Sequence, residues 1–430
     1  MIAQNSVKTR TQVHDLPRRK ISGRTAVLFA MLACFFLLLF TTFAPQHYKI
    51  WRHLGVPSMS PSFADARTLT VALESNLEGA DIWAPNARDP WKRAFNYPRV
   101  WLLLKPFGIN QSHTDIIGLG LAVIFFVCLW RLARNLSLRQ GLYFALLVFS
   151  PVTMFAVERG NIDLLMFALL MGAVVLFQRK AQNGPVVLIM LGAIAKLFPF
   201  LGVSLFLSLP KRKAVTTIGI SSAIFGLYLL LTLGDLRLIS NATPRPTFLG
   251  YGSDVLLAFI LGGQLLTLVI STVLLLLLFA AIWLRIRKYG GVLDVETETE
   301  NTFHLNCFRV GAALYIGTFL LGNNWDYRLI FLLFTVPQLL TWYRSNRLVR
   351  SGALLGLICT ALAFHWYFFS SENLLRFILV KQAINWILAA GIFNLFLKSA
   401  PAWVQEWLWL RDRSTRTYGR SAIAEPSPQF

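Results

Sequence analysis

"LLTLVISTVLLLLLFAAIWL", residues 265–284, runs for twenty positions without a charged side chain. That is the length a helix needs to cross the hydrocarbon core of a bilayer. In lipid every backbone N–H and C=O has to be satisfied within the spanning structure, which leaves helices and closed barrels. Barrel strands alternate apolar and polar residues over segments of about ten. Neither this run nor "LFAMLACFFLLLFTTF" (28–43) alternates, so the spanning structure is helical. A chain of 430 residues that is 56% apolar and 14% charged repeats such runs throughout, and the expected fold class is an all-α polytopic transmembrane bundle.

The spacing predicts spans near 25–43, 115–132, 141–157, 162–178, a hairpin of two short segments in 185–209, then 214–234, 264–284, 309–322, 327–342, 352–369 and 377–397, about twelve in all. Residues 1–24 form a basic segment, 25–397 the membrane domain with a long first loop at 44–114, and 398–430 a basic tail expected to be disordered. The segment "KTRTQVHDLPRRKISGR" has the charge of a signal-peptide start. No small-residue cleavage site precedes Pro45, so the first run is expected to stay as a span.

A net charge of +21 would point to nucleic acid in a soluble protein, but here the basic residues fall between alternate spans. Arg131, Arg134 and Arg139, Arg179 and Lys180, Lys211 to Lys213, "RIRK" at 285–288, and Arg344, Arg347 and Arg350 all lie on the side of the N terminus. The positive-inside rule then places both termini in the cytoplasm, and no nucleic-acid partner is implied. The long first loop, the loop at 235–253 and the turns "ERGN" and "NNWD" face outward and carry most of the acidic residues. Of the four cysteines, Cys34, Cys128 and Cys359 fall in spans and Cys307 in a cytoplasmic loop, so no disulfide is expected.

Chemistry is therefore sought on the outer side. In "SFADARTLTVALESNLEG" the apolar stripe Phe63, Leu69, Leu73, Leu77 suits a helix lying on the membrane surface, with Asp65 in its first turn. Ser62 and Asp65 also match a capping box, an ordinary role for such a carboxylate. The following "GADIWAPNARDPWKRAFNYP" brings Asp81, Asp89, Asn96 and Tyr97 together with tryptophans, the acceptors, amides and aromatic faces that grip sugars. In "ERGNIDLLMFALL" Asn161 and Asp163 open a span beside Glu158 and Arg159, as helix caps or as a site facing an anion. Lys196 interrupts the apolar "GAIAKLFPFLGV", and an intramembrane cation is by default functional. "NNWDYRLIF" supplies Asn324, Asp326 and Arg328, as an interfacial ion pair or a phosphate grip. There is no HExxH, CxxC, P-loop or GxSxG, so neither a metal nor a nucleotide cofactor is expected.

Three of these pieces together, the loop from "FADAR" through "GADIW" to "FNYPRVWLLL", then "ERGNIDLLMFALL" and "GAIAKLFPF", resemble the GT-C class of multispanning glycosyltransferases. The resemblance covers roughly residues 25 to 345 and is strongest to the bacterial family that takes mannose from a polyprenyl phosphate. It implies a polyprenyl-phosphate-linked sugar donor, a lipid or glycan acceptor, and Asp65 as general base. A polyprenyl phosphate leaves without protonation, so one base and cations to hold the departing phosphate suffice. Lys196, Arg328 and Arg159 are the expected cations. The expected sugar and acceptor contacts are Asp81, Asp89, Asn96, Tyr97, Asn161, Asp163, Asn324 and Asp326. The competing expectations are a carrier for lipid-linked glycans and a polysaccharide polymerase or ligase.

Overall fold

The computed structural model describes residues 22–410, apart from 45, 247, 263–264, 291–292, 294–301, 323 and 367–372. The basic ends at 1–21 and 411–430 and the acidic stretch "DVETETEN" lie outside the described residues. The chain runs from α1 (Gly23–Phe43) through α2 (His47–His53) and α3 (Ala64–Leu77) of the first loop to α4 (Thr114–Leu132). A bent pair follows, α5 (Leu138–Val148) and α6 (Pro151–Glu158), then α7 (Asp163–Gln178) and α8 (Gly184–Lys196). A 3-10 segment, Phe198–Ser208, turns back to α9 (Lys211–Leu231), and α10 (Leu233–Ala242), α11 (Val255–Leu261) and α12 (Leu265–Tyr289) come next. The last part holds α13 (Thr302–Leu321), another 3-10 segment at Asp326–Phe334, α14 (Val336–Ser345), α15 (Arg350–Phe364), α16 (Leu374–Lys398) and α17 (Ala402–Trp407).

The protein is all-α in character. Among the described residues six helices are long and apolar enough to cross a membrane: α1, α4 with its preceding turn, α9, α12, α13 and α16. The pair α5 and α6, bent by 52°, makes a seventh if counted as one span. Among the described residues the strands are β1 (Gly250–Tyr251) and β2 (Asn324–Trp325), antiparallel, with Gly250 opposite Trp325 and Tyr251 opposite Asn324.

Helices surrounded by lipid gain little from apolar burial itself and associate through close packing, which small residues permit. The α1–α5 contact shows this: a Cβ built on Gly141 would lie 2.1 Å from the carbonyl oxygen of Gly23. The centre is α13, with 72% of its apolar window buried, whereas only 17% of that of α9 is enclosed. Phe167 of α7 stacks on Phe334 at 4.2 Å and meets Phe125 of α4 edge-on at 5.0 Å, locking α7 between its neighbours.

Several boundaries differ from those the sequence predicts. The run at 141–157 is not one straight span, because Ser150 caps a new helix whose first residue is Pro151. The span expected at 309–322 begins at Thr302, and Cys307 is buried inside it rather than placed in a loop. The segment at 327–342 divides at Thr335 into the 3-10 segment and α14. The tail expected to be disordered from 398 is folded as far as Leu410: α17 packs on the body, and Trp403 donates to the carbonyls of Leu207 and Leu209.

The expected hairpin in 185–209 is present as α8 and its 3-10 return. Thirteen residues of α8 at about 1.5 Å each reach about 20 Å, and the eleven 3-10 residues at about 2.0 Å each reach about 22 Å. Neither arm crosses the ~30 Å of a bilayer core. The hairpin's feet are the polar Asn183 and Lys211, and its apex, carrying Lys196, lies against the first loop, where Trp101 Nε1 donates to the Ala195 carbonyl at 3.0 Å.

Candidate functional site

α3 is not a surface helix. Ala64, Leu69, Val71 and Leu73 are all buried, on more than one face. Its N-terminus has no side-chain cap, and Ser62 and Asp65 form no capping box, because the residue before the helix is Phe63 in the left-handed region. The unsatisfied amides instead meet the end of α6. Phe63 N donates to the Glu158 carbonyl at 3.2 Å, and Asp65 N to the Arg159 carbonyl at 2.9 Å. The free donors of one helix start thereby satisfy the free acceptors of another helix end. Gly160, at φ +55°, makes this junction possible, since a Cβ there would press on Phe63 and Ala66 at 3.1 and 3.2 Å. The "FADAR" and "ERGN" pieces are therefore one joint, and the joint fixes where Asp65 points.

From Asp65 a chain of side-chain contacts runs across the protein. Asn161 Nδ2 donates to Asp65 Oδ2 at 2.5 Å, and Asn161 Oδ1 accepts from Lys196 Nζ at 3.2 Å. Lys196 Nζ lies 2.7 Å from Asp163 Oδ1, and Arg328 Nε donates to Asp163 Oδ2 at 3.2 Å. Arg328 Nη1 then donates to Asn324 Oδ1 at 2.5 Å. Four stretches that are distant in sequence thus contribute to one charged row. Asp163 is fully buried, while Lys196 and Arg328 keep 13% and 15% of their side chains accessible. The row therefore presents cations at its open edge and holds its central carboxylate behind them.

The other oxygen of Asp65, Oδ1, stands 3.7 Å from Arg93 and 3.9 Å from Arg159, too far for a hydrogen bond to either. The Asp65 side chain is 16% accessible. Tyr97 lies against the row, its ring 5.2 Å from Lys196 Nζ. Burial holds the Tyr97 phenol well above its ordinary range, the Asp65 carboxylate adding to the effect, so it is a neutral hydrogen-bond donor.

The remaining expected residues divide. Asp89 is buried but committed to Arg93, which binds it through Nε at 3.0 Å and Nη2 at 2.8 Å and also holds the Ala64 carbonyl at 2.7 Å. Arg93 is a site residue the sequence did not single out. Its place between Trp91 and Phe95 in an aromatic loop was the available signal, and it stacks over Trp91 at 4.4 Å. Asp81 is exposed and accepts from Trp83 N at 2.9 Å in a local turn, so it does not join the row. Asn96 is half-buried, its Oδ1 without a hydrogen-bond partner among the described residues. Arg159 is turned toward the 57–59 segment, donating to the Pro57 carbonyl at 3.2 Å and touching the Met59 sulfur, which leaves it poorly placed as a phosphate ligand.

Asp326 and Arg328 do not pair with each other. Asp326, fully buried, lies 2.6 Å from Lys381 Nζ of α16, a partner the sequence did not suggest, while Arg328 turns to Asp163. Asn324 donates to the carbonyls of Thr318 and Gly322 and serves to anchor Arg328. His365 bonds the Ala361 carbonyl one turn back and stands apart from the row. Among the described residues no group of three or more His, Cys, Asp or Glu side chains is placed to hold a metal ion.

Fold and site together define an all-α protein, fit for a membrane, that carries an ordered row of buried and half-buried charges at the end of a short helical hairpin. Compared with protein families, with curated protein sequences and with solved structures, the chain has no match in any of the three.

Proposed function

We propose that this protein is a metal-independent, inverting glycosyltransferase of the GT-C type. It moves a sugar, mannose on the resemblance, from a polyprenyl-phosphate donor to a hydroxyl of a lipid or glycan acceptor. The membrane is the bacterial inner membrane, with the site on the outer face and the termini in the cytoplasm. The observation that carries the reading is the spacing of roles along the row. Among the described residues one Asp65 carboxylate oxygen accepts no hydrogen bond, and Asn161 links its other oxygen to the Lys196 and Arg328 end.

In the reaction Asp65 takes the proton of the acceptor hydroxyl as its oxygen attacks the anomeric carbon, and the bond to the lipid phosphate breaks on the opposite side. The negative charge arriving on that phosphate is met by Lys196 and Arg328 in a site of low dielectric, where fixed cations count for more than in water. Among the described residues no second carboxylate stands ready as a nucleophile, so a single displacement with inversion follows. Asn161 holds the base in orientation, and Tyr97 supplies a neutral donor beside it.

Two measurements test parts of this reading. Lys196→Met is expected to insert normally and to raise the donor concentration needed for half-maximal rate about 10- to 100-fold, the worth of a charge-assisted hydrogen bond. An unchanged donor titration in detergent sinks the phosphate role of Lys196. The orientation is tested by single cysteines at the exposed positions Ala80 and Arg212, against a background in which the four native cysteines are buried. An impermeant thiol reagent added outside intact cells is expected to label Ala80→Cys and to spare Arg212→Cys. The reverse pattern puts the row on the other face and removes an outer-face donor.

A further inference from the structure

Lys196 and Arg328 do not wait as two free cations. They share one carboxylate, each through a different oxygen, and that carboxylate is fully buried behind them. Two cations against one anion leave the group with one net positive charge. Both cations keep an accessible fraction, 13% and 15%, and both have donors to spare. Lys196 has three N–H donors, of which the described residues engage two, at Asp163 and Asn161. Arg328 uses Nε on Asp163 and Nη1 on Asn324, and among the described residues nothing accepts from its Nη2. Aromatic faces fix both cations from the flank, Tyr97 at 5.2 Å from the Lys196 ammonium and Phe198 at 4.5 Å from the Arg328 guanidinium.

A carboxylate in this position has two electrostatic effects of opposite sense. Without ligand it holds together two like charges that would otherwise repel in a poorly screened site, and the buried pair needs it. With an anion bound at the open edge it becomes a like charge only a few ångströms from that anion and weakens its binding. We propose that Asp163 is a built-in counter-anion for a phosphate-monoester clamp formed by Lys196 and Arg328, keeping the clamp assembled when empty and limiting how tightly it holds a phosphate. The inference rests on the phosphate-releasing reaction above for its purpose: a clamp without this brake retains the product lipid phosphate. It assigns Asp163 a positioning and tuning role in place of a sugar contact.

The test is binding, not turnover. Purified protein in a nonionic detergent is titrated with dodecyl phosphate and, separately, with inorganic phosphate, following heat of binding and thermal unfolding. Asp163→Asn is expected to bind dodecyl phosphate about tenfold or more tightly than the wild type, since it removes a like charge at short range. It is also expected to unfold at lower temperature without ligand and to gain more from dodecyl phosphate than the wild type does. Tightening toward dodecyl phosphate alone assigns the clamp to a lipid headgroup, and tightening toward both probes assigns it to any phosphate monoester. Unchanged or weaker binding by Asp163→Asn overturns the proposal. If the variant unfolds on extraction, dodecyl phosphate in the extraction buffer is expected to recover it, and failure to do so also overturns it. Asp65→Asn leaves the clamp intact and is expected to bind like the wild type. A wild type that transfers no sugar would defeat the transferase reading without touching the clamp, an Asp65→Asn that still transfers would only move the base elsewhere, and an Asp163→Asn without tighter binding would defeat the clamp inference without touching the base.

Discussion

Asp65→Asn loses about 10²- to 10⁴-fold in turnover while its stability barely changes. The separation of the two effects follows from the environment of this side chain. The α3 amides are satisfied by the Arg159 and Glu158 carbonyls, not by the Asp65 carboxylate, so no helix cap is lost. An asparagine Oδ1 accepts from Asn161 Nδ2 as the carboxylate does, and the Arg93 and Arg159 contacts at 3.7 and 3.9 Å are weak ones. The first-turn charge that disappears is worth about 0.3 to 1 kcal/mol at most. An amide cannot take the acceptor proton, and that is where the rate falls. Donor binding stays near normal, because Lys196 and Arg328 are unchanged. The assay is single-turnover transfer at matched protein levels, with Asp89→Asn beside it. Near-normal turnover in Asp65→Asn moves the base elsewhere.

Lys381→Met destabilises the protein by about 3–5 kcal/mol, the cost of stranding one member of a buried ion pair. Lys381 and Asp326 are 2% and 0% accessible and 2.6 Å apart, and the ammonium also donates to the Phe248 carbonyl at 2.7 Å. Removing it leaves a buried carboxylate without its counter-ion, and of the two hydrogen bonds that hold α16 to the β1 segment among the described residues only that of Gln382 with the Gly250 carbonyl remains. Neutralising both members, Asp326→Leu with Lys381→Met, is expected to recover much of the loss, since a buried pair is rarely better than well-packed apolar groups. Thermal unfolding in micelles measures both. A single variant as stable as the wild type, or a double variant worse than either single one, contradicts this account of the pair.

Lys196 and Lys381 also show where the sequence stops being legible. Both are lone lysines in apolar helices, and an intramembrane ionisable residue reads as functional in either case. Only the third dimension separates them: Lys196 keeps an accessible edge beside a shared carboxylate, while Lys381 is sealed. The apolar runs themselves are plain, and α1, α9, α12 and α16 fall close to where hydropathy puts them. The start of α13 is hidden because "TFHLNCFR" is half polar. His304, Asn306 and Arg309 are buried, Asn306 and Arg309 meeting Ser208, with Arg309 also reaching the Ser399 carbonyl.

Partner choice in the site was the least legible part. Asp326 and Arg328 are two apart, and residues two apart on a helix do not face each other. The interfacial ion pair read from the sequence fails on that spacing, and the partners lie far along the chain, Lys381 for Asp326 and Asp163 for Arg328. The surface placement of α3 failed for a related reason. Its stripe of Leu69 and Leu73 is real, yet small residues such as Ala66 and Ala72 let its other faces bury as well. The first-loop carboxylates looked alike in sequence, and the structure sorts them: Asp65 in the row, Asp89 committed to Arg93, Asp81 in an exposed turn.

The most direct test of the central claim follows one labelled molecule. Purified protein is reconstituted in vesicles containing polyprenyl phosphate carrying a radiolabelled sugar, mannose first, together with lipid extract as acceptor source. The account predicts that label leaves the donor for a new glycoside of opposite anomeric configuration, with one polyprenyl phosphate released per sugar transferred, and that Asp65→Asn vesicles do neither. Label that crosses the bilayer while remaining on its polyprenyl phosphate would contradict the account and make the protein a carrier.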